Sequence, residues 1–279
     1  MTEPKNKKSV KKNKGAAHKA APVKKIEKAA PKPASVKKIV HVAHKAAHAE
    51  TASAPARRYR AVAFQVALLL ITVAFAVLTF LVKTMPSFPI DLQITRGIQL
   101  ITFPLFSGLM AAVSWPGFGP QSGIIVLLSV LVIYALGLHW ESVAALITAV
   151  FSTGINVLVK DLIQRPRPTA AMVSVLATLN SYSFPSGHVM FYVAFFGFIW
   201  FLAFSLMKPS IKRGVLLVIF GSLIILIGPS RIYSGEHWAS DVVGAYLLAT
   251  LTLVVIIWFY RWGKTRFFVR QPVAAAAAA

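Results

Sequence analysis

Residues 61–82, "AVAFQVALLLITVAFAVLTFLV", hold one polar amide and no charge over 22 positions. As a helix rising 1.5 Å per residue this run spans about 33 Å, enough to cross a hydrocarbon layer of about 30 Å. The rest of the 279-residue chain repeats the pattern. It is 57% hydrophobic and only 14% charged, with a mean hydropathy of +0.68, whereas ordinary globular domains are nearer a quarter charged. Further apolar runs occupy 122–138, 142–159, 188–207, 213–229 and 238–260. The expected fold is therefore all-α: a polytopic membrane protein with six transmembrane helices. The segment 92–115 is too polar in its first half, with Arg96, and is interrupted by Pro104. It reads as an interfacial or re-entrant helix. The chain has no cysteine, which excludes disulfides, thiolate metal sites and cysteine nucleophiles.

Residues 1–60 obey different physics. They carry 17 of the 30 Lys/Arg and 3 of the 8 Asp/Glu, a net of +14. Composed mostly of Lys, Ala, Pro and His, they lack the apolar surface needed to offset ordering entropy, so a disordered basic tail is expected. No small-residue cleavage site follows the first apolar run, so this is no signal peptide. The favoured partners are anionic lipid headgroups rather than nucleic acid. His41, His44 and His48 share a helical spacing, but in an Ala/Lys tail this reflects composition more than a metal site. The expected units are the tail (1–60), a six-span domain (61–263) and a short C-terminal tail (264–279).

Charge sets the orientation. With six spans and a cytoplasmic N-terminus, the inner side receives the tail, then Lys208, Lys212 and Arg213, then Arg261, Lys264, Arg266 and Arg270. This satisfies the positive-inside rule at three of four inner segments. The remaining charges gather on the outer side in three stretches. "KDLIQRPRP" (160–168) carries Lys160, Asp161, Arg165 and Arg167. "PSGH" (185–188) opens the fourth span, and "SRIYSGEHWASD" (230–241) carries Arg231, Glu236, His237 and Asp241. Taken singly, arginines beside spans are headgroup anchors and an interfacial histidine is a polar cap. Several cations, two histidines and a carboxylate on one face form a constellation.

The chemistry follows from residue types. Lys160, Arg165, Arg167 and Arg231 suit a phosphate or carboxylate. Ser186, Gly187 and His188 begin a helix, whose free amides also favour an anion. His237 and Asp241 are four apart and share a helix face, so the carboxylate can accept from one imidazole nitrogen and leave the other as a nucleophile. His188, on another helix, is free to act as a general acid.

These three stretches fit, in order, Lys, six residues, Arg-Pro; Pro-Ser-Gly-His; and Ser-Arg, five residues, His, three residues, Asp. In this the chain resembles the type 2 phosphatidic acid phosphatase family, whose site is shared with vanadium-dependent haloperoxidases and acid phosphatases. The resemblance covers roughly residues 61–260, and no motif position departs from the pattern. It implies that His237 attacks phosphorus to form a phosphohistidine, that Asp241 orients it, and that His188 protonates the leaving oxygen. It also implies that Lys160, Arg167, Ser186, Gly187 and Arg231 bind the phosphoryl oxygens, with no metal or other cofactor. The implied substrate is a lipid phosphate or diphosphate such as undecaprenyl diphosphate, phosphatidic acid or phosphatidylglycerol phosphate. The implied location is a bacterial inner (plasma) membrane, with the site on the periplasmic face and both termini cytoplasmic. A lipid phosphotransferase and a non-enzymatic anchor with a polyanion-binding tail are the alternatives. A haloperoxidase is disfavoured because the site is carried on membrane spans.

Overall fold

The computed structural model describes residues 54–268, and every regular element among them is a helix. The basic tail before residue 54 and the alanine-rich end after 268 lie outside the described residues. The elements are α1 (Ala54–Thr84), α2 (Pro89–Gln99), α3 (Pro104–Ser114), α4 (Gly119–Ala135), α5 (His139–Ile163), α6 (Gly187–Leu206), α7 (Ile211–Tyr233) and α8 (Ala239–Gly263). A 3-10 turn, Trp115–Gly117, joins α3 to α4.

Among the described residues five helices are long and apolar enough to cross a membrane. A sixth span exists if α3 and α4, bent by 64° at their junction, count as one. The chain is an integral membrane protein. The expected span at 122–138 is α4, only 17 residues long, and it passes as a span only together with α3. The segment 92–115 is two helices rather than one. Pro104 lacks an amide hydrogen and disfavours helical geometry at the residue before it. Phe103 is accordingly extended, at φ −64° and ψ 125°.

Burial ranks the helices. In α6, 61% of the most apolar window is buried by the rest of the protein, against 0% in α1. Helix α6 is the central post, with Phe195, Phe196, Phe198 and Tyr192 in the core. A π-helical turn, Tyr192–Phe196, begins one turn after His188, and the Tyr192 hydroxyl donates to the Val113 carbonyl at 2.5 Å. Helix α7 contains Pro229, which leaves the Ile225 carbonyl without its i+4 donor. The Tyr246 hydroxyl of α8 approaches that carbonyl at 3.2 Å and donates to Ile224 at 2.6 Å.

The polar face of α2 also has a use that an interfacial helix would not need. Arg96 donates to the Met172 carbonyl at 3.2 and 3.1 Å. Gln99 donates to Ser174 at 2.7 Å and Tyr233 at 3.0 Å. This helix straps down the loop between α5 and α6, which carries the first motif.

Candidate active site

The α5 helix ends at Ile163. Gln164 follows with φ 57°, and Lys83 of α1 donates to the last carbonyls, Leu162 at 2.9 Å and Ile163 at 3.3 Å. Lys160 lies in the last turn, where its ammonium donates to the Tyr182 carbonyl. Pro166 and Pro168 keep the next residues extended. Arg167 is thereby directed into a ring of acceptors: Ser181 O at 2.7 Å, Ser181 Oγ at 3.0 Å, Tyr182 O at 3.2 Å and Glu236 O at 2.6 Å. Its Nη1 also approaches His237 Nε2 at 3.2 Å. Because Nη1 is a donor, Nε2 carries the lone pair and Nδ1 the proton.

His237 lies in the short connection between α7 and α8. Gly235 makes that connection possible: its φ is +67°, and a Cβ there would overlap the Ser174 backbone. The imidazole is 2% exposed. Burial holds it well below its ordinary pKa of 6.5, and Arg167, Lys160 and Arg231 push the same way against a weaker pull from the Ser183 backbone. The ring is neutral at pH 7. Arg167 is lowered by burial and raised by Asp241, and it stays charged as arginines do.

Asp241, in the first turn of α8, is fully buried. Its Oδ2 accepts from the Trp238 amide at 2.9 Å and lies 3.5 Å from His237 Nδ1. Its Oδ1 accepts from Arg165 at 2.6 Å. His237 precedes the helix, so the two residues are neighbours without sharing a helix face; Nδ1 makes no hydrogen bond to the carboxylate, which also caps the helix and pairs with arginine.

His188 and Ser186 open α6. The His188 ring packs edge-on against Phe118 at 5.0 Å, and Gly117 lies so close that a Cβ there would overlap it. His188 is within the field of Arg231, His237, Arg167 and Lys160. The Ser186 amide donates to the Asp241 carbonyl at 3.3 Å, which ties the second motif to the third. A Cβ on Gly187 would meet Asn156 Oδ1 at 3.2 Å. Arg231, 1% exposed, stacks over Phe118 at 5.7 Å, pairs with Glu236 and donates to Ser114 Oγ at 2.9 Å. Four buried polar atoms among these residues have no hydrogen-bond partner: Ser186 Oγ, His188 Nε2, Arg231 Nε and His237 Nδ1.

Of the four cations suited to a phosphate or carboxylate, Arg165 is the one to which the resemblance gives no phosphoryl oxygen, and its fully buried side chain is committed to carboxylates, Asp91 at 2.9 Å and Asp241 at 2.6 Å. Two arginines separated by one proline in extended backbone point to different places, and only Arg167 reaches His237. Sequence reasoning also passed over Asp91, Ser114 and Asn156. Asp91 left a faint signal, as the only acid between Glu50 and Glu141.

Comparison with known proteins bears on this constellation. Residues 138–265 match the family model of the PAP2 superfamily, the segment that contains all three motifs. Phosphatidylglycerophosphatase B of Bacillus subtilis (strain 168) is 30% identical over 174 residues, 60% of this chain and 81% of that protein. The chain belongs to the PAP2 superfamily. The fold agrees: the crystal structure of a transmembrane PAP2 type phosphatidylglycerolphosphate phosphatase from Bacillus subtilis superposes with a TM-score of 0.63. It is 24% identical, and the match covers 72% of this chain and 98% of that one. In this PAP2 membrane protein the first motif runs from the end of α5 into the loop after it, the second opens α6, and the third runs from the end of α7 to the first turn of α8.

Proposed function

We propose that this PAP2 protein is a metal-independent lipid phosphatase that works through a phosphohistidine. The observation that carries the reading is three buried polar atoms without protein partners, Ser186 Oγ, His188 Nε2 and Arg231 Nε, beside a neutral His237 whose Nδ1 is likewise unpartnered. Buried polar groups are normally satisfied, and a tetrahedral phosphoryl group satisfies all of these together.

In this mechanism Lys160, Arg167, Arg231, Ser186 and the Gly187 amide hold the phosphoryl oxygens. A phosphoryl oxygen competes with His237 Nε2 for Arg167 and frees the nitrogen lone pair. Nε2 attacks phosphorus as the bond to the lipid oxygen breaks, and His188 delivers a proton to that oxygen. Asp241 stabilises the positive charge that develops on the ring. Water, deprotonated by His188, then displaces the histidine and releases phosphate. Fixed cations supply the charge stabilisation that Mg²⁺ gives elsewhere. The acids in this region are already committed, Asp91 and Asp241 to Arg165 and Glu236 to Arg231.

A cavity of about 280 Å³ adjoins Arg231, lined by Met110, Trp115, Phe118, Leu176 and Tyr233 among others. Its apolar walls favour a lipid over a soluble phosphate ester. Phosphatidylglycerol phosphate is the first substrate to test, being the one named for the relatives, followed by undecaprenyl diphosphate and phosphatidic acid. Purified protein in detergent with excess EDTA should release phosphate from at least one of these, and vanadate should inhibit it. Activity that is lost in EDTA and restored by Mg²⁺ would overturn metal independence.

The proposed setting is a bacterial inner membrane with the site outward and both termini in the cytoplasm, supported by the Lys/Arg distribution. Ala170 and Thr178 are exposed in the α5–α6 loop, and Lys208 is exposed in the α6–α7 loop. Single cysteines at 170 and 178 should react with an impermeant thiol reagent on intact cells, while one at 208 reacts only after lysis. The reverse pattern would invert the topology.

A further inference from the structure

We infer that Asp91 is a positioning residue for the reaction, acting through Arg165 and Ser240 on Asp241 and so on His237. This inference rests on the phosphohistidine reading above. Asp91 belongs to α2, outside all three motifs and 150 residues from Asp241 in sequence, and it is 1% exposed. Its Oδ1 accepts from the Ser240 amide at 2.8 Å. Its Oδ2 accepts from Ser240 Oγ at 2.6 Å and from Arg165 Nη2 at 2.9 Å. The other end of the same guanidinium, Nη1, donates to Ser240 Oγ at 2.7 Å and to Asp241 Oδ1 at 2.6 Å. Arg165 Nε donates to the Pro86 carbonyl at 3.0 Å. The guanidinium carbon lies 5.3 Å from the centre of the Phe88 ring and 5.9 Å from that of Trp238. Arg165 is therefore satisfied at every nitrogen and held in one place.

Charge counting shows what the arrangement does. One arginine is shared by two buried carboxylates, which leaves the trio with one excess negative charge. A buried charge without full compensation is costly; Arg167 and Lys160 share the field of Asp241, and further compensation arrives when His237 becomes cationic on phosphorylation. If Asp91 were neutral, Arg165 would pair fully with Asp241, and the excess would vanish just where the imidazolium needs it. Asp91 thus keeps Asp241 available to the ring 3.5 Å away. The trio favours the charged transition state over the neutral ground state, the difference on which catalysis depends. Ser240 completes the geometry by accepting from Arg165 and donating to Asp91, so that both carboxylates keep fixed orientations.

The test is pre-steady-state phosphoenzyme formation from an aryl phosphate, whose good leaving group does not need His188. It is followed against pH in the full-length protein in detergent. Wild type should form acid-labile, base-stable phosphoenzyme, with an acid limb below pH 6.5 that reports protonation of His237 Nε2. The charged and titratable groups facing that ring are Arg167 and Lys160 from the α5 end, Arg231 from α7 with Glu236 from the α7–α8 connection, His188 from α6 and Asp241 from α8. None of them is altered in the variants.

Asp91→Asn should lower the rate about 10- to 100-fold, the range found when a group supporting a site residue is removed, with KM changed less than about threefold. Losing a negative charge disfavours the protonated ring, so the acid limb should move to lower pH. Asp91→Glu should restore a large part of the rate. A purely structural role would lower the amount of folded protein and leave the acid limb in place. A folded Asp91→Asn with wild-type rate, or with a reduced rate and an unmoved acid limb, overturns the inference. Should Asp91→Asn not fold, Ser240→Ala cuts the hydroxyl link while keeping every charge. It should reduce the rate several-fold with KM held, and a wild-type rate there overturns the inference equally. Absence of phosphoenzyme in wild type would bring down the functional reading itself, whereas wild-type phosphoenzyme with indifferent variants brings down only the role of Asp91.

Discussion

His237→Ala is expected to lose phosphate release by about 10⁴-fold or more, the scale seen when a nucleophile acting in a coupled unit is removed. The reason is local. The neutral ring presents Nε2 beside Arg167 at 3.2 Å, and no other histidine has a carboxylate partner in this part of the molecule; His188 Nε2 has no partner at all. The ring contributes few bonds of its own, so the protein should still fold, and retention of detergent-purified yield and helical content is the control. Wild type incubated with labelled substrate and quenched in base should retain phosphate that acid releases, and His237→Ala should retain none. A variant that keeps substantial turnover would exclude the phosphohistidine route.

Gly117→Ala should be nearly as damaging on a lipid substrate, although residue 117 touches no phosphate. A Cβ there would lie 2.9 Å from His188 Cγ and closer still to the next ring atom, so the imidazole must leave its present position. Packed against Phe118 and largely buried, it has little room to do so without losing its aim at the leaving oxygen. General acid catalysis contributes about 10²- to 10⁴-fold, and losses in that range are expected for both Gly117→Ala and His188→Ala. The discriminating measurement is a second substrate. An aryl phosphate, whose leaving group needs no proton, should phosphorylate both variants at close to the wild-type rate in the pre-steady state, while turnover still falls because His188 also deprotonates the attacking water. Equal losses in phosphoenzyme formation from the two substrates would mean that the substitution damages the phosphate site as a whole. A wild-type rate on the lipid would mean that His188 is not the acid.

Much of this was legible from the chain because membrane spans and phosphate chemistry both leave local marks. A run such as 61–82 can only be satisfied as a helix in hydrocarbon, since its backbone groups have no water to bond. Clustered cations at the ends of such runs are too costly to be incidental. The three motif stretches named Lys160, Arg167, Ser186, Gly187, His188, Arg231, His237 and Asp241, and the structure brings them together through the Ser186–Asp241 backbone bond and the Arg167–His237 contact. Residues 92–115 were harder. Their pattern is neither fully apolar nor cleanly amphipathic, because α2 faces protein carbonyls and α3 is one arm of a helix pair bent by 64°, a broken span or a re-entrant loop.

By itself, the sequence determined the all-helical membrane class of the fold and the three stretches that carry the motif residues, because hydropathy and motif spacing are properties of contiguous chain. Tertiary structure alone decided what each charge faces. Arg165 and Arg167 are two positions apart and chemically identical, yet one is locked between Asp91 and Asp241 while the other reaches His237. Spacing cannot separate them, since the deciding partner of Arg165 comes from a helix 74 residues upstream. A buried cation takes its role from the carboxylates that folding places around it, and those lie far away in sequence.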